Sequence, residues 1–436
     1  MRLEIDGKKS EPVADDSRRE FLRGSSLLLA GAMPAGFARS QAAPSTPDSP
    51  LKLGLIGCGR RGIYLTCQLL SQNPAMQLTA VADMFGDRLQ QAMRTVNSRH
   101  REQIAVTQRT RFCGWDSYRE LMSTDVDVVI LATCPGLRPL HFEEAVAAGK
   151  DVLVARPVAT DIAGLHRFQR AFTSAQAQKL AVRVDLEHRA NSTITQTLER
   201  IHEGLIGIPI FLRAYSISPI LGSKSADGSG DEFSNQLRHW QHHAWTSGGG
   251  MLERHSDRLD LCNLVMQSLP VEAQGVGTAG TECSGFFDEQ AHLSVEFRYP
   301  CGARLQSVWR RSQLPWGGSE LLVHGSQGAA DVLGGRILNR SGKVIWHASS
   351  SGEGLDPPLA ETSESQFASD TAISTRPRFS TNLIEPAEDK VGQRAITGTL
   401  TAILGREAAR RAQRLQLSDL LQSNQSFPMA LPKAYC

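Results

Sequence analysis

Gly57-Cys58-Gly59-Arg60-Arg61-Gly62 sits between an apolar run, Leu51-Lys52-Leu53-Gly54-Leu55-Ile56, and a stretch with Ile63, Leu65, Leu69 and Leu70 at helical spacing. The run suits a buried parallel strand. A glycine-x-glycine-x-x-glycine turn between such a strand and a helix admits few folds. The first glycine allows a tight turn, and the second lets the backbone approach a pyrophosphate. The third lets the helix pack close to the strand, with the phosphates at the helix N-terminus. Gln77-Leu78-Thr79-Ala80-Val81-Ala82-Asp83 then reads as a second strand ending in an acid. Asp83 falls roughly 20 residues after the glycines, the spacing of a carboxylate that receives the adenosine ribose hydroxyls. A carboxylate there repels a 2′-phosphate, so NAD(H) is expected ahead of NADP(H). Arg60, Arg61 and Arg88 point the other way, because a nearby arginine accepts that phosphate.

The alternation continues down the chain. Residues 118–122 read as a short helix, 126–133 as a strand, 141–150 as a helix ending in Gly149, and 151–154 as a strand. Strands alternating with helices predict a doubly wound parallel sheet. Ligands of such sheets gather at the carboxyl ends of the strands, which places Asp83, Thr133, Cys134 and Ala155-Arg156-Pro157 on the cofactor edge. After about residue 210 the regular alternation stops. Strand-like runs follow at 209–215, 292–299, 303–309 and 320–324, with a final helix over 391–413. Residues 348–390, rich in Ser, Glu, Pro and Thr, read as a long loop or insertion.

A chain of 436 residues exceeds one ordinary core and predicts two domains plus extras. Its net charge of +2 gives no nucleic-acid footprint. The eight cysteines include no CxxC pair, and no metal site is expected from them. The front of the chain reads as an address. Ser17-Arg18-Arg19-Glu20-Phe21-Leu22 has the twin-arginine pattern, followed by an apolar stretch centred on Leu27-Leu28-Leu29-Ala30 and by Ser40-Gln41-Ala42, which suits a signal peptidase. The stretch falls short of the roughly 20 apolar residues of a spanning helix. The expectation is a signal over 1–43 and a linker over 44–50, with the twin-arginine export machinery as a partner. The mature protein would be periplasmic, with no stable membrane insertion after cleavage.

These landmarks resemble the glucose–fructose oxidoreductase, inositol dehydrogenase and MocA family, written Gfo/Idh/MocA. The likeness rests on the glycine turn, on Val81-Ala82-Asp83, on Ala132-Thr133 leading to His141, and on Ala147-Ala148-Gly149-Lys150-Asp151-Val152 and Arg156-Pro157. It continues through residues 200–207, Ser247-Gly248-Gly249-Gly250-Met251-Leu252-Glu253-Arg254-His255, and 400–408. The resemblance implies an α/β fold: an N-terminal Rossmann dinucleotide-binding domain (51–157), then an α/β domain with an open, mostly antiparallel sheet (158–390), then a C-terminal helix and tail (391–436). It implies a homo-oligomer formed through that second sheet. The implied cofactor set is Gly57, Cys58, Gly59, Arg60, Arg61, Gly62, Asp83, Arg88, Thr133, Cys134, His141, Ala155, Arg156 and Pro157. His188 and Arg189, after a strand over 180–186, and His239, Trp240 and His243 are candidates for a carbohydrate substrate.

Two positions depart from the family pattern. The family's Glu-Lys-Pro is Ala155-Arg156-Pro157 here, and arginine stays protonated, so Arg156 orients oxygens but relays no proton. The family's His-x-x-Asp, whose histidine is the general base, is Asp257-Arg258-Leu259-Asp260. Three readings follow: Asp257 as the base, His255 as the base through a shifted helix, or a site that binds without hydride transfer. The functional expectation is an NAD(H)-dependent oxidoreductase acting on a sugar, sugar acid, cyclitol or glycoside hydroxyl. Its rival is an NAD-binding protein that binds carbohydrate or partners an active relative. An enzyme would hold Arg156 and Asp257 toward one substrate oxygen, whereas a degenerate site would pair them with each other.

Overall fold

The computed structural model describes residues 50–219, 231–279, 290–312, 318–349 and 389–427. The segment expected to be an export signal, all of the expected linker except Pro50, most of residues 348–390 and the extreme C-terminal tail lie outside the described residues.

Strands β1 (Leu51–Ile56), β2 (Met76–Asp83), β3 (Arg111–Cys113), β4 (Val128–Leu131), β5 (Asp151–Val154) and β6 (Val182–Val184) form a parallel sheet ordered β3-β2-β1-β4-β5-β6. This is the order of a dinucleotide-binding Rossmann domain. Helices α1 (Arg60–Gln72), α2 (Gly86–His100), α3 (Ser117–Met122), α4 (Arg138–Ala147) and α5 (Ile162–Ala177) cover it. Side chains alternate across the strands. Leu53, Leu55, Ile130 and Leu153 pack with Ile63 and Leu69 of α1 and Leu89 of α2. On the opposite face Ile56, Val129, Leu131 and Val154 pack with Phe142 and Phe168, whose rings stack at 4.3 Å. Each such fully buried side chain contributes about 1.5–3 kcal/mol.

The sheet runs past the expected domain boundary at residue 157. α5 crosses back and β6 adds a sixth strand, so the parallel sheet ends near residue 184. β6 is short, and its pairing with β5 fixes its place more than its own sequence does.

Among the described residues the second domain is an α/β unit on a nine-stranded, mostly antiparallel sheet. Its strands are β7 (Pro209–Pro219), β8 (Glu272–Ala279), β9 (Gln290–Arg298), β10 (Arg304–Ser312), β11 (Gly318–Gly325), β12 (Gly328–Asp331), β13 (Arg336–Asn339), β14 (Val344–His347) and β15 (Leu415–Gln416). They are ordered β14-β13-β12-β11-β7-β10-β9-β8-β15, and β7 with β10 is the parallel pair. Helices α6 (Ser192–His202), α7 (Glu232–Arg238), α8 (Ala244–Ser247), α9 (Gly250–Glu253) and α10 (Ser256–Met266) lie between β6 and β8 in sequence. α11 (Asp389–Arg411) and α12 (Leu417–Gln422) end the described chain.

α11 ties the two sheets together. Its Ile403 and Leu404 are buried in the core that holds Phe297, Leu305 and Trp309 under the second sheet. Arg406 donates to the carbonyls of Thr160 (2.7 Å) and Gly248 (3.0 Å), and Thr399 Oγ1 accepts from the Val158 N–H at 3.4 Å. These contacts hold the segment after Arg156-Pro157, and the Gly248 turn before α9, against α11. That placement sets the geometry of the site.

Candidate active site

β1 runs straight into the glycine turn. Gly57 has φ +95°, and a Cβ there would meet the Ala132 carbonyl carbon at 2.5 Å, so only glycine fits between β1 and β4. A Cβ on Gly62 would lie 2.0 Å from the Gly57 oxygen, which is why α1 can sit so close to the turn. A Cβ on Gly59 would meet nothing within 4 Å. α1 has no side-chain cap and no acid in its first turn. Open space in front of an uncapped helix N-terminus is a place for phosphates. The residues present therefore fit a dinucleotide.

At the end of β2, Asp83 accepts main-chain N–H bonds from Cys58 (2.7 Å) and Phe85 (2.9 Å). Burial pushes its carboxyl above the ordinary value, against the pull of Arg88 and those two bonds. Arg88 donates to the Arg238 carbonyl at 2.8 Å, and both guanidinia lie over the Phe85 ring, at 4.9 and 4.1 Å. Arg61 turns away from the glycine turn's open side. Its Nε donates to Asp185 Oδ2 at 2.6 Å and its Nη2 reaches Glu187 at 3.1 Å. Arg60 is exposed.

At the end of β4, Thr133 Oγ1 and His141 Nδ1 are 3.1 Å apart. Burial pushes His141 down to about 3, so it is neutral and holds Thr133 by hydrogen bonding alone. Burial pushes the Cys134 thiol up to about 11, which keeps it protonated. Ala155 is fully buried, and the Arg156–Pro157 peptide is cis. The Pro157 carbonyl accepts from the buried Arg138 at 2.7 Å.

Arg156 leaves the end of β5 toward α10. Its Nη2 lies 2.6 Å from Asp257 Oδ2, and its Nη1 donates to the Glu253 carbonyl at 3.2 Å. His188 and Arg189 approach the same helix from the short 3-10 turn after β6. His188 Nε2 is 2.8 Å from Asp260 Oδ2, and Arg189 grips the same carboxylate through both oxygens, at 2.8 and 2.6 Å. Burial pushes Asp260 up, but the bonds from His188 and Arg189 outweigh it and hold the acid below the ordinary carboxylate range. His188 Nδ1 and Asp257 Oδ1 face each other at 3.6 Å, and both are buried without a hydrogen-bond partner. A cavity of about 10 Å³ adjoins Asp257, whose lining also includes Arg156, Pro157, Leu186, Asp260 and Thr399. That is room for about one water molecule.

His255 lies elsewhere. Its ring is fully buried, with Nδ1 2.9 Å from Ser216 Oγ on β7 and Nε2 2.9 Å from Ser307 Oγ on β10. Both nitrogens are engaged, and burial pushes the ring down to about 3. It offers no free nitrogen to a substrate beside Arg156, against the reading that made it an alternative base. His239, Trp240 and His243 are half-buried in the strap formed by residues 231–247. Phe233, Leu237 and Trp245 of that strap pack on Leu137, Met84, Phe85, Trp115 and Cys134. Arg238 pairs with Asp87 at 2.9 and 3.2 Å, and the Thr246 carbonyl accepts from the Gly136 N–H at 2.9 Å. The strap therefore packs on residues that follow the carboxyl ends of β2 and β4. Among the described residues no group of three or more His, Cys, Asp or Glu is arranged to hold a metal ion.

The sequence reading missed the Arg61–Asp185–Glu187 cluster, the Asp87–Arg238 pair and the Arg138–Pro157 bond. Their partners lie far apart in the chain, and no local pattern joins them.

Residues 51–184 match a family described as GFO_IDH_MocA, oxidoreductase family, NAD-binding Rossmann fold. The match ends at β6, as the parallel sheet does. Among curated proteins the chain is similar to glycosyl hydrolase family 109 protein 2 of Shewanella sp. strain ANA-3, 29% identical over 161 residues, 33% of this chain and 34% of that protein. A family 109 protein of Shewanella amazonensis is 28% identical over 165 residues, 34% of this chain and 35% of that one. The match thus spans about a third of these relatives' length.

Solved structures share the fold over most of this chain. The WlbA dehydrogenase of Bordetella pertussis, in complex with NADH and UDP-GlcNAcA, superposes with TM-score 0.62 at 17% identity, covering 84% of this chain and 98% of that one. The myo-inositol 2-dehydrogenase of Lactobacillus plantarum gives 0.61 at 18% identity, covering 84% and 99%. The scyllo-inositol dehydrogenase of Lactobacillus casei, with bound NAD(H) and scyllo-inositol, gives 0.58 at 17% identity, covering 85% and 100%. At these identities the likeness is one of fold: a Rossmann domain followed by an α/β domain on a mostly antiparallel sheet.

Proposed function

We propose that this chain is an NAD(H)-dependent oxidoreductase of the Gfo/Idh/MocA type, transferring hydride to or from a hydroxyl carbon of a sugar, sugar acid, cyclitol or glycoside. The observation that carries the reading is the meeting of two sets of groups at one sheet edge. The glycine turn, Asp83 and Thr133 line the carboxyl ends of β1, β2 and β4. His188 and Arg189, from the turn after β6, meet Asp260 of α10 beside Arg156 at the end of β5. The names of the inositol, sugar-nucleotide and glycoside relatives support a polyhydroxylated substrate.

NAD(H), when bound, supplies the hydride acceptor or donor. The α1 N-terminus and the open side of Gly59 would hold the pyrophosphate, and Asp83 the adenosine ribose. The chain's own groups do the rest. Arg156 stays charged and directs its guanidinium at a substrate oxygen, where it stabilises developing alkoxide charge. Asp257 and the Glu253 carbonyl fix that guanidinium from behind. His141 orients the Thr133 hydroxyl at the cofactor edge.

One observation favours the rival reading, a binding protein with weakened chemistry: Arg156 and Asp257 are closed on each other as an ion pair. Mass spectrometry of extract from natively exported protein separates the cases when joined to turnover on a panel of inositols, hexoses, uronates and aryl glycosides. Bound dinucleotide with turnover supports the enzyme. Bound dinucleotide and a co-purifying sugar without turnover supports the binding protein, and absence of any dinucleotide defeats both. Export by the twin-arginine route belongs to the same proposal. Replacing Arg18 and Arg19 with Lys should retain the protein in the cytoplasm, and unchanged export would sink that part.

A further inference from the structure

Asp260 and Asp257 project from one face of α10, a helical turn apart, and His188 reaches between them from the turn after β6. Its Nε2 is held 2.8 Å from Asp260 Oδ2. Its Nδ1 has no partner, although the ring is nine-tenths buried. The nearest acceptor is Asp257 Oδ1 at 3.6 Å, itself unpartnered. Burying two polar atoms without partners is costly. Two such atoms facing each other mark a place where a donor belongs.

We infer that His188 is the proton acceptor of this site, held in its reactive tautomer by Asp260, with Asp257 awaiting the imidazolium. The inference rests on the hydride-transfer reading above and names the group that handles its proton.

The arrangement settles each role. Asp260 is acceptor-only when ionised, so the bond at Nε2 requires a hydrogen on Nε2, and Nδ1 then carries the lone pair. Arg189 grips Asp260 through both oxygens and prevents the carboxylate from turning. A hydroxyl oxygen 2.8 Å from Nδ1 and near Arg156 meets ordinary hydrogen-bond geometry. In the oxidative direction the O–H bond breaks and its proton goes to Nδ1. The C–H hydrogen leaves with its electron pair to the nicotinamide dinucleotide, and the carbonyl π bond forms from the O–H electrons. The new Nδ1–H points at Asp257 Oδ1, the buried acceptor that lacked a donor. In reduction each transfer reverses.

The charged and titratable groups facing His188 are Asp257 and Asp260 of α10, Arg189 of its own turn, and Arg156 at the end of β5. Arg258 stands behind Asp257 and donates to Ser319 Oγ at 2.7 Å. The histidine that the sequence lacks at 257 is thus supplied from another element at the same carboxylate pair.

The first test needs no substrate. In the full chain labelled with [15N]histidine, long-range proton–nitrogen spectra assign His188 by loss of its signal in His188→Gln, or in His188→Asn should the glutamine variant not fold. The neutral ring should carry its hydrogen on Nε2, and Asp260→Asn should erode that preference. A hydrogen on Nδ1 in the neutral ring overturns the inference.

The second test uses myo-inositol and scyllo-inositol with NAD as probes. His188→Gln should lower kcat by roughly 10²- to 10⁴-fold, the usual worth of a general base, with the NAD dissociation constant unchanged. Asp257→Asn should cost less than His188→Gln. The reverse order, or a His188→Gln enzyme with wild-type kcat, overturns the inference while leaving hydride transfer intact. If the wild type oxidises neither probe, the hydride-transfer reading is what suffers, and the tautomer still decides His188.

Discussion

At Asp83 two main-chain N–H groups fix the carboxylate, one on each oxygen, and leave its remaining lone pairs free for ribose hydroxyls. A 2′-phosphate brought there meets like charge in a half-enclosed place. Arg88, the residue best placed to offset that charge, already donates to the Arg238 carbonyl. NAD should therefore bind at least about tenfold more tightly than NADP, a difference of about 1.4 kcal/mol. Asp83→Ser should narrow the ratio, as paired calorimetric titrations would read. Equal affinities in the wild type would mean that an arginine has turned to the phosphate. Asp83 is legible from its distance to the glycines because both belong to one strand–helix–strand unit. His255 is not legible in the same way. Its sealing between Ser216 and Ser307 depends on β7 and β10 meeting it, and neither neighbour is close in sequence. The role inferred for His188 likewise becomes visible only when the turn after β6 is brought against α10.

Among the elements, the glycine turn and the strap over it behave differently under substitution. Gly62→Ala places a methyl group 2.0 Å from the Gly57 oxygen, so α1 must back away from the turn. Overpacking of this kind costs about 1–3 kcal/mol, and it moves the helix N-terminus meant for phosphates. Lowered Tm together with weakened dinucleotide binding is expected, and a loss of neither would mean that α1 can shift freely. Arg238→Ala should act the other way round. The Asp87–Arg238 pair is exposed, so its loss costs about 0–1 kcal/mol. The strap would nonetheless lose its grip on Asp87 and on the Phe85 ring, and bound dinucleotide should leave several-fold faster with Tm almost unchanged. A stopped-flow displacement measurement checks the rate. The first sheet is legible in the sequence because each of its units is local, with apolar strands punctuated by glycine and followed by periodic helices. Much of the second sheet is not. β8 reads Glu-Ala-Gln-Gly-Val-Gly-Thr-Ala and β12 Gly-Ala-Ala-Asp, without the apolar alternation that marks a strand, and both are set by pairing with the strands on either side of them in the sheet.

For the molecule as a whole, acid should be a strong destabiliser, and two buried histidines say in which range. His141 stands against Thr133 under the first sheet's edge, and His255 is locked between β7 and β10 of the second, so each domain holds one of these two rings. Burial holds both at about 3, against an ordinary histidine value of 6.5. The folded chain thus keeps both rings neutral at pH values where the unfolded chain has protonated them. Below about 6.5 the unfolded state binds the extra protons and gains on the folded one as pH falls, until the folded rings titrate near 3. The slope is about 1.4 kcal/mol per pH unit for each ring once the pH is well below 6.5. Glu272, held down to about 2 by hydrogen bonds from Arg298 and Gln416, acts in a lower window, since its stabilisation fades only as pH drops below the ordinary 4.5. Thermal melts at pH 7, 6, 5 and 4 should therefore show Tm falling already between 6.5 and 5, above the range in which carboxylates are protonated. His255→Asn keeps a neutral hydrogen-bonding group between the two serines and removes one titrating ring. It should lower Tm at pH 7 but flatten the fall between 6.5 and 4. A wild-type Tm that stays level down to pH 5, or a variant whose fall is as steep as the wild type's, would show that the rings take up protons in the folded state and that the two cores are wetter than their packing implies.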